Sequence, residues 1–412
     1  MREVRQSGAV LIAAPGWHDD APGGASKLPT DFARFLAGRG HDVSYLCPSA
    51  IVDRMTSERI DGVDVRRYPA PDAPSPSLRN VRRHWQRTRA ITADVARQRP
   101  VRALLGHTPI QFLAASQTLD AAVRRCYFVH SPFVLELREG VSGDPTLKQR
   151  IAWRAAAWME QRILDASDIV HYNSSFTRRV MEQSYPRASA GKGIVLPGWV
   201  DDARFRPSEV PRDELRRRLG PPWEPGVATF FTLRRLVPRM GIDTLVDAAA
   251  RLARTGRVFR LVIGGDGPER PALEAQVAAL GLGDRVAFLG RIPDARLADH
   301  FAAADCFVLP TRALECFGLI VLESYASGVP VVGVPVGAIP EIVGPAFQAW
   351  LTADNSAPAL AERMDDFLSE RLVADPVALR AWAATFSLAT VAERHERVLL
   401  GNAEEMSVAA GR

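Results

Sequence analysis

Two carboxylates eight positions apart, Glu315 and Glu323, bracket the run Cys316-Phe317-Gly318-Leu319-Ile320-Val321-Leu322. The apolar stretch Cys306–Leu309 ahead of them ends at Pro310-Thr311 and has the composition of a buried parallel strand. Beyond Gly318 the spacing turns helical, with Leu319, Leu322, Tyr325 and Ala326 on one side and a stop at Gly328. One carboxylate therefore lies in a strand-to-helix loop, and the other about a turn and a half into the helix. The amides of Gly318, Leu319 and Ile320 at such a start lack intrahelical partners, and the helix dipole adds to their attraction for phosphate. Flanking carboxylates accept hydrogen bonds from sugar hydroxyls. The set suits a nucleotide-diphosphate sugar, although an ordinary βα turn with two solvated acids would have the same spacing.

Other residues weigh on that choice. Phe231 to Gly241 closes a strand, opens a helix and carries Arg234, Arg235 and Arg239. Of these, Arg235 is expected to neutralise a diphosphate, since a planar guanidinium grips two oxygens. Gly264-Gly265-Asp266-Gly267-Pro268 ends the next strand; its glycines let a ligand approach closely and Pro268 starts a helix. Gly290-Arg291-Ile292-Pro293 ends another strand, where backbone groups would flank a base. Nearer the amino terminus, Gly23-Gly24 forms a turn before a helix whose start is a second anion site. His130 ends the strand Arg125–Val129, where it would orient a donor hydroxyl or carry a proton near neutral pH; His107 ends the strand before it.

The elements that position these residues alternate between strand and helix along the chain. Strands are expected at Ala9–Ala14, Val43–Leu46, Val63–Arg67, Ala103–Gly106, Arg125–Val129, Ile169–Tyr172 and Ile194–Leu196. A second series follows at Val227–Thr232, Phe259–Ile263, Arg285–Leu289, Cys306–Leu309 and Val331–Val334. This rhythm predicts an α/β protein of two doubly wound, Rossmann-like domains facing each other, with the loops at the carboxyl ends of their strands in one cleft. The expected boundaries are 1–198 and 199–386, with Pro197–Pro225 as linker. Pro69–Pro76 reads as a stiff polyproline-like loop. The helix behind it sets Val81, Trp85, Thr88, Ile91 and Val95 on one face and arginines 79, 82, 83, 87 and 89 on the rest. That face is a solvated basic surface, or else an acceptor-side or membrane-surface patch over residues 79–99.

At 412 residues, 47% hydrophobic and 24% charged, the chain suits two globular domains. No apolar run reaches membrane-spanning length, and the start Met1-Arg2-Glu3-Val4 makes a poor signal peptide. Cys47, Cys126, Cys306 and Cys316 are scattered, which fits a reduced cytoplasmic location and neither a zinc site nor a disulfide framework. Only Lys27, Lys148 and Lys192 are lysines among the 52 basic residues behind the +5 charge, a bias better explained by a GC-rich genome than by nucleic-acid binding. A basic balance still accommodates nucleotide phosphates.

Taken together, Arg235, Gly264–Pro268, Gly290–Pro293 and Glu315–Glu323, with Pro197-Gly198-Trp199-Val200-Asp201 and Phe205-Arg206-Pro207, resemble the retaining glycosyltransferases of family 4, which have the GT-B fold. The resemblance runs from Gly23-Gly24 to Phe386-Ser387. It implies that Glu323 holds the nucleotide ribose and Glu315 the donor sugar. Phe317, Gly318 and Leu319 would contact sugar and diphosphate through the backbone, and Arg235 would stabilise the departing diphosphate. His130 would match the family's donor-sugar histidine and Gly24 its phosphate-side glycine. The last segment, 387–412, would supply a helix crossing back onto the first domain. One position departs: the family commonly has a lysine five residues after the arginine, and here stands Met240. Arg234 or Arg239 would then supply the missing cation, or the helix start at Gly318 would carry more of the charge, and a lysine restored at 240 is expected to be tolerated.

The expected reaction is transfer of a sugar from a UDP- or GDP-linked donor to an acceptor hydroxyl, small or lipid-linked, with retention, in natural-product or cell-envelope glycoside synthesis. No carboxylate pair is spaced for a double displacement, and no DxD-type acidic pair adjoins the diphosphate site. Asp19-Asp20 and Asp201-Asp202 read as turn and linker residues, so neither a metal nor a separate cofactor is expected. A nucleotide-sugar epimerase and a non-catalytic nucleotide-sugar-binding partner protein remain as alternatives. The sugar, base, acceptor and oligomeric state are not encoded in any motif.

Overall fold

The structure, a computed structural model, describes residues 8–20, 24–70, 78–139 and 144–401. Gly23 and most of the polyproline-like loop, residues 71–76, lie outside them. The chain divides into two compact units, one of residues 1–137, 143–197 and 391–412, the other of 138–142 and 198–390.

In chain order the first unit begins β1 (Ala9–Ala13), α1 (Gly24–Gly38), β2 (Val43–Ser49), β3 (Thr56–Ile60), β4 (Val63–Pro69), α2 (Leu78–Gln98) and β5 (Val101–Gly106). It continues α3 (Pro109–Ser116), β6 (Arg124–Val129), α4 (Phe133–Glu139), α5 (Leu147–Ala166), β7 (Ile169–Tyr172), α6 (Ser175–Ser184) and β8 (Gly193–Val195). Among the described residues these strands form one sheet in the order β3-β4-β2-β1-β5-β6-β7-β8. All its pairs are parallel except β3 with β4. Strand β1 is buried along its whole length, as a central strand covered on both faces must be.

The second unit comprises α7 (Arg212–Leu219), β9 (Thr229–Leu233), α8 (Ile242–Arg254), β10 (Arg260–Gly264), α9 (Arg270–Ala279), β11 (Val286–Gly290) and α10 (Leu297–Ala303). After them come β12 (Cys306–Leu309), α11 (Leu319–Ala326), β13 (Val331–Gly333), α12 (Ile339–Val343), α13 (Ala357–Leu368) and α14 (Pro376–Ala384). Its sheet is parallel throughout, in the order β11-β10-β9-β12-β13. The winding reverses between β9 and β12, and between β1 and β5 in the first unit. Each reversal leaves a crevice at the carboxyl ends of its two strands.

All twelve expected strands are present. Strand β3 was not anticipated: Thr56-Ser57-Glu58-Arg59-Ile60 is polar and mostly exposed, because an antiparallel edge strand needs no apolar face. The expected linker Pro197–Pro225 is also different. Most of it is built into the second unit, where Val200, Phe205, Leu215 and Trp223 join the core and Val200 pairs with Ser387. Pro and charge mark a solvated surface there, with the apolar residues between them packed inward.

The last helix, α15 (Leu388–Leu400), starts in the second unit and from Val391 belongs to the first. Val391, Ala392, His395, Val398 and Leu399 are buried. Arg39 and His41 pair with Glu396, while Arg124 bonds the carbonyls of Val398, Leu399 and Gly401 at the helix end. Among the described residues, no helix is long and apolar enough to cross a membrane.

Candidate active site

At the carboxyl edge of the second sheet the loops are tied to one another through their backbones. Arg234 N–H donates to Gly264 O (3.1 Å), Leu236 N–H to Asp266 O (2.9 Å) and Gly265 N–H to Gly290 O (2.8 Å). Across the reversal, Arg312 N–H donates to Arg239 O (2.8 Å). On the far side of β12, Ala338 N–H donates to Glu315 O (2.7 Å). Two glycines make this closeness possible. Gly265 has φ 107°, and a Cβ there would lie 1.8 Å from Arg234 O; Gly241 has φ 68°, and its Cβ would lie 2.0 Å from Pro310 O. The glycine turn read from the sequence therefore receives a neighbouring loop, besides whatever it does for a ligand.

This lattice brings Glu315 to Arg234. The two form an ion pair whose side chains are 13% and 9% exposed. Thr311 Oγ1 accepts from Arg234 Nη2 at 3.1 Å and donates to Glu315 Oε2 at 3.2 Å. Met240 Sδ lies 3.0 Å from the same Nη2. Arg235, the residue favoured from sequence, has an exposed side chain on the same loop, and Arg239 reaches Leu314 O at 3.4 Å. Leu314 itself holds φ 55°, a conformation costly for a side chain of this kind. The adjacency of Arg234 and Arg235 was the signal available, but a loop has no period from which to tell which arginine turns inward.

Gly318 is the N-cap of helix α11, with Phe317 before it buried and packed near Phe386. Val321 N–H already bonds Gly318 O, and Leu319 and Ile320 supply the first-turn amides. Glu323 sits half-buried one turn on. Ile292 is buried against Gly264 and Arg291 is exposed. Glu315, Phe317, Gly318, Leu319, Glu323, Arg234, Arg235, Arg239, Gly265, Arg291 and Ile292 are thus all carried by loops and one helix start of a single unit. Two hollows of this unit, about 840 and 650 Å³, lie at the opposite edge around Asp305 and Arg285 and hold none of these residues.

His130 and Gly24 belong to the first unit. Gly24 opens α1, and His107 and His130 follow β5 and β6. His107 Nδ1 and His130 Nε2 share a hydrogen bond of 2.9 Å, and Asn173 donates to His130 O at 3.1 Å. Burial pushes His130 down to about 4. It holds His107 well below the ordinary imidazole range, with His130, His171 and His395 adding to the effect. A ring kept neutral in this way makes hydrogen bonds but does not carry a proton as imidazolium near neutral pH, so that half of the sequence expectation is withdrawn. Asp20 is committed to Arg67 and Ser49, Asp19 to Arg34, and Asp201 caps the turn at Arg204.

Comparison with known proteins bears on the family and the fold. Residues 22–204 match Glycosyltransferase Family 4, and residues 212–381 match Glycosyl transferases group 1. A GDP-mannose-dependent alpha-(1-6)-phosphatidylinositol monomannoside mannosyltransferase of Mycobacterium tuberculosis is 36% identical over 232 residues, 54% of this chain and 58% of that protein. The match thus spans less than two thirds of that relative. A D-inositol 3-phosphate glycosyltransferase of Nocardia farcinica is 29% identical over 378 residues, 88% of this chain and 78% of that one. Among solved structures, sucrose-phosphate synthase of Thermosynechococcus elongatus has a TM-score of 0.76 at 21% identity, over 95% of this chain and 98% of the other. HepE of Anabaena in complex with UDP-glucose has a TM-score of 0.70 at 21% identity, over 95% and 99%. At these identities the structural likeness speaks for the fold. With its two halves matched in order and two Rossmann-like units in place, the chain belongs to the group 1 glycosyltransferases of family 4, with the GT-B fold.

Proposed function

We propose that this protein moves a sugar from a nucleotide-diphosphate sugar to an acceptor hydroxyl with retention of anomeric configuration. The observation that carries the reading is the meeting of Glu315, a buried guanidinium and the start of α11 at the winding reversal of the second sheet. There the first-turn amides of Leu319 and Ile320 take the diphosphate, Glu315 takes hydroxyls of the donor sugar, and Glu323 the ribose. Gly265, Arg291 and Ile292 flank the nucleotide. Arg235 and Arg239, on the loop after β9, offset the charge of the departing diphosphate, and rate comes from that stabilisation together with positioning. His130 serves the donor sugar as a neutral hydrogen-bonding ring, and Gly24 the phosphate side. Charge compensation by guanidinium and helix dipole makes the reaction metal-independent in this proposal; Asp19, Asp20 and Asp201 have structural partners of their own.

GDP-mannose and UDP-glucose are the first donors to try, because relatives and neighbours carry them in their names. The acceptor is a polar or lipid-linked alcohol met by the first unit. On α2, Leu78 (88% exposed) and Val81 stand among the exposed Arg79, Arg82 and Arg89, a surface suited to an anionic acceptor or lipid headgroup. The test is a thermal-shift and mass-spectrometry screen of the purified protein against nucleotide sugars, followed by acceptor trials. A stabilising donor and a new glycoside support the proposal. A panel in which no nucleotide sugar stabilises the protein would sink it, and so would a new sugar nucleotide formed from donor alone.

A further inference from the structure

We infer that Arg234 is a further donor-site cation, binding the diphosphate of the donor beside Arg235 and Arg239, and that Met240 must stay uncharged for it to do so. The inference rests on the donor-binding reading above and specifies which charge serves it. A lysine at 240 was the residue expected from the family resemblance; in space, the guanidinium of Arg234 stands against that side chain.

Arg234 is held without being used up. Its contacts with Glu315, Thr311 Oγ1 and Met240 Sδ all leave from Nη2. Nε is buried with no hydrogen-bond partner among the described residues. A guanidinium offers five N–H donors in a rigid fork that matches two phosphate oxygens. Leaving a buried donor unpaired is unfavourable, and a multi-oxygen anion relieves it. Glu315 then has two tasks: it orients Arg234 through Nη2 and keeps its remaining lone pairs for hydroxyls.

Position 240 completes the arrangement. Its backbone is pinned, since Met240 N–H donates to Val237 O (3.0 Å) and Gly241 is packed against Pro310 O. Its side chain, 8% exposed, therefore lies against Arg234. A thioether is neutral and polarizable there. An ammonium in its place would face a like charge at contact distance with little water between. Restoring a lysine at 240 is consequently harmful on its own, which reverses the expectation drawn from sequence.

The test is calorimetric binding of GDP, UDP and the donor found in the screen, with a melting curve for every variant. Arg234→Met lowers affinity at least tenfold, and Met240→Lys does the same. The exchange variant Arg234→Met/Met240→Lys, which moves the cation and keeps the net charge, recovers to within a few-fold of the parent. Because Arg234→Met leaves Glu315 without its partner, Arg234→Met/Glu315→Gln is measured beside it; it melts near the parent and still binds GDP and UDP weakly. Parent-like affinity in either variant lacking Arg234 and carrying no lysine overturns the inference, as does tighter binding by Met240→Lys or an exchange variant no better than Arg234→Met. If the parent binds no nucleotide or nucleotide sugar, the failure belongs to the proposed function instead.

Discussion

Acid is expected to loosen the first unit, and a single buried imidazole is expected to set a measurable part of that response. His107, His130, His171 and His395 gather around Phe128, with ring centroids 5.2, 4.7, 6.2 and 6.0 Å from it. His395, on α15 and 2% exposed, shares a 2.9 Å hydrogen bond with Pro197 O, and burial pushes it down to about 4. Burial also holds His171 well below its ordinary value, with His395 adding to the effect, and both its ring nitrogens are buried without a partner among the described residues. The folded state resists protons that the unfolded chain binds below about pH 6.5. Stability is therefore intact above that pH, falls as pH drops, and levels off for each ring only below its own lowered folded value, near pH 4 for His130 and His395. Each histidine contributes a slope of about 1.4 kcal/mol per pH unit, and His395 alone about 3 kcal/mol over the full window. Four such rings would remove around 5 kcal/mol in a single pH unit, comparable with the whole stability of a small domain. Urea denaturation at pH 8, 7, 6 and 5.5, followed by tryptophan fluorescence, measures the slope for the parent and for His171→Leu. The variant is expected to equal the parent at pH 8 or exceed it by about 1–2 kcal/mol, because two unpaired buried atoms are gone. Its slope is expected to be shallower by about 1.4 kcal/mol per pH unit. A parent indifferent to pH between 7 and 5.5, or a slope unchanged in the variant, refutes the reasoning.

Three further outcomes are expected. Gly241→Ala costs about 2 kcal/mol or more in urea melts, because its Cβ would meet Pro310 O, while Gly226→Ala, with similar φ but nothing within 4 Å, costs about 1 kcal/mol. Glu315→Ala leaves a buried guanidinium unpaired and destabilises by about 3–5 kcal/mol; Glu315→Gln, which retains an acceptor, costs visibly less, and comparing their melting points with their rates separates folding from function. Initial transfer rates with the donor identified by the screen are unchanged by excess EDTA, and a loss restored by magnesium or manganese would contradict the proposed charge compensation.

Much of the architecture was legible because it is written in local periods. Cys306–Leu309 and Val331 onward are apolar runs of strand length, and the Leu319–Ala326 pattern after Gly318 is a helix whatever lies around it. That placed Glu315 in a loop and Glu323 in a helix from spacing alone. Strand Thr56–Ile60 escaped notice because its order comes from pairing with Val63–Pro69, and the expected linker escaped because Phe205 and Trp223 acquire a buried side only when the second unit folds.

The residues themselves determined two α/β units and the kind of ligand edge each would present, since strands, helix starts and glycine turns follow from neighbours in the chain. Tertiary structure decided which groups meet. Arg234 and Glu315 are 81 positions apart and touch only because β9 and β12 are adjacent in the sheet order. That Arg234 is turned inward and Arg235 outward depends on where a loop, fastened to Gly264 and Asp266, turns its side chains. That direction is set by close packing between distant segments, which no period in the sequence carries.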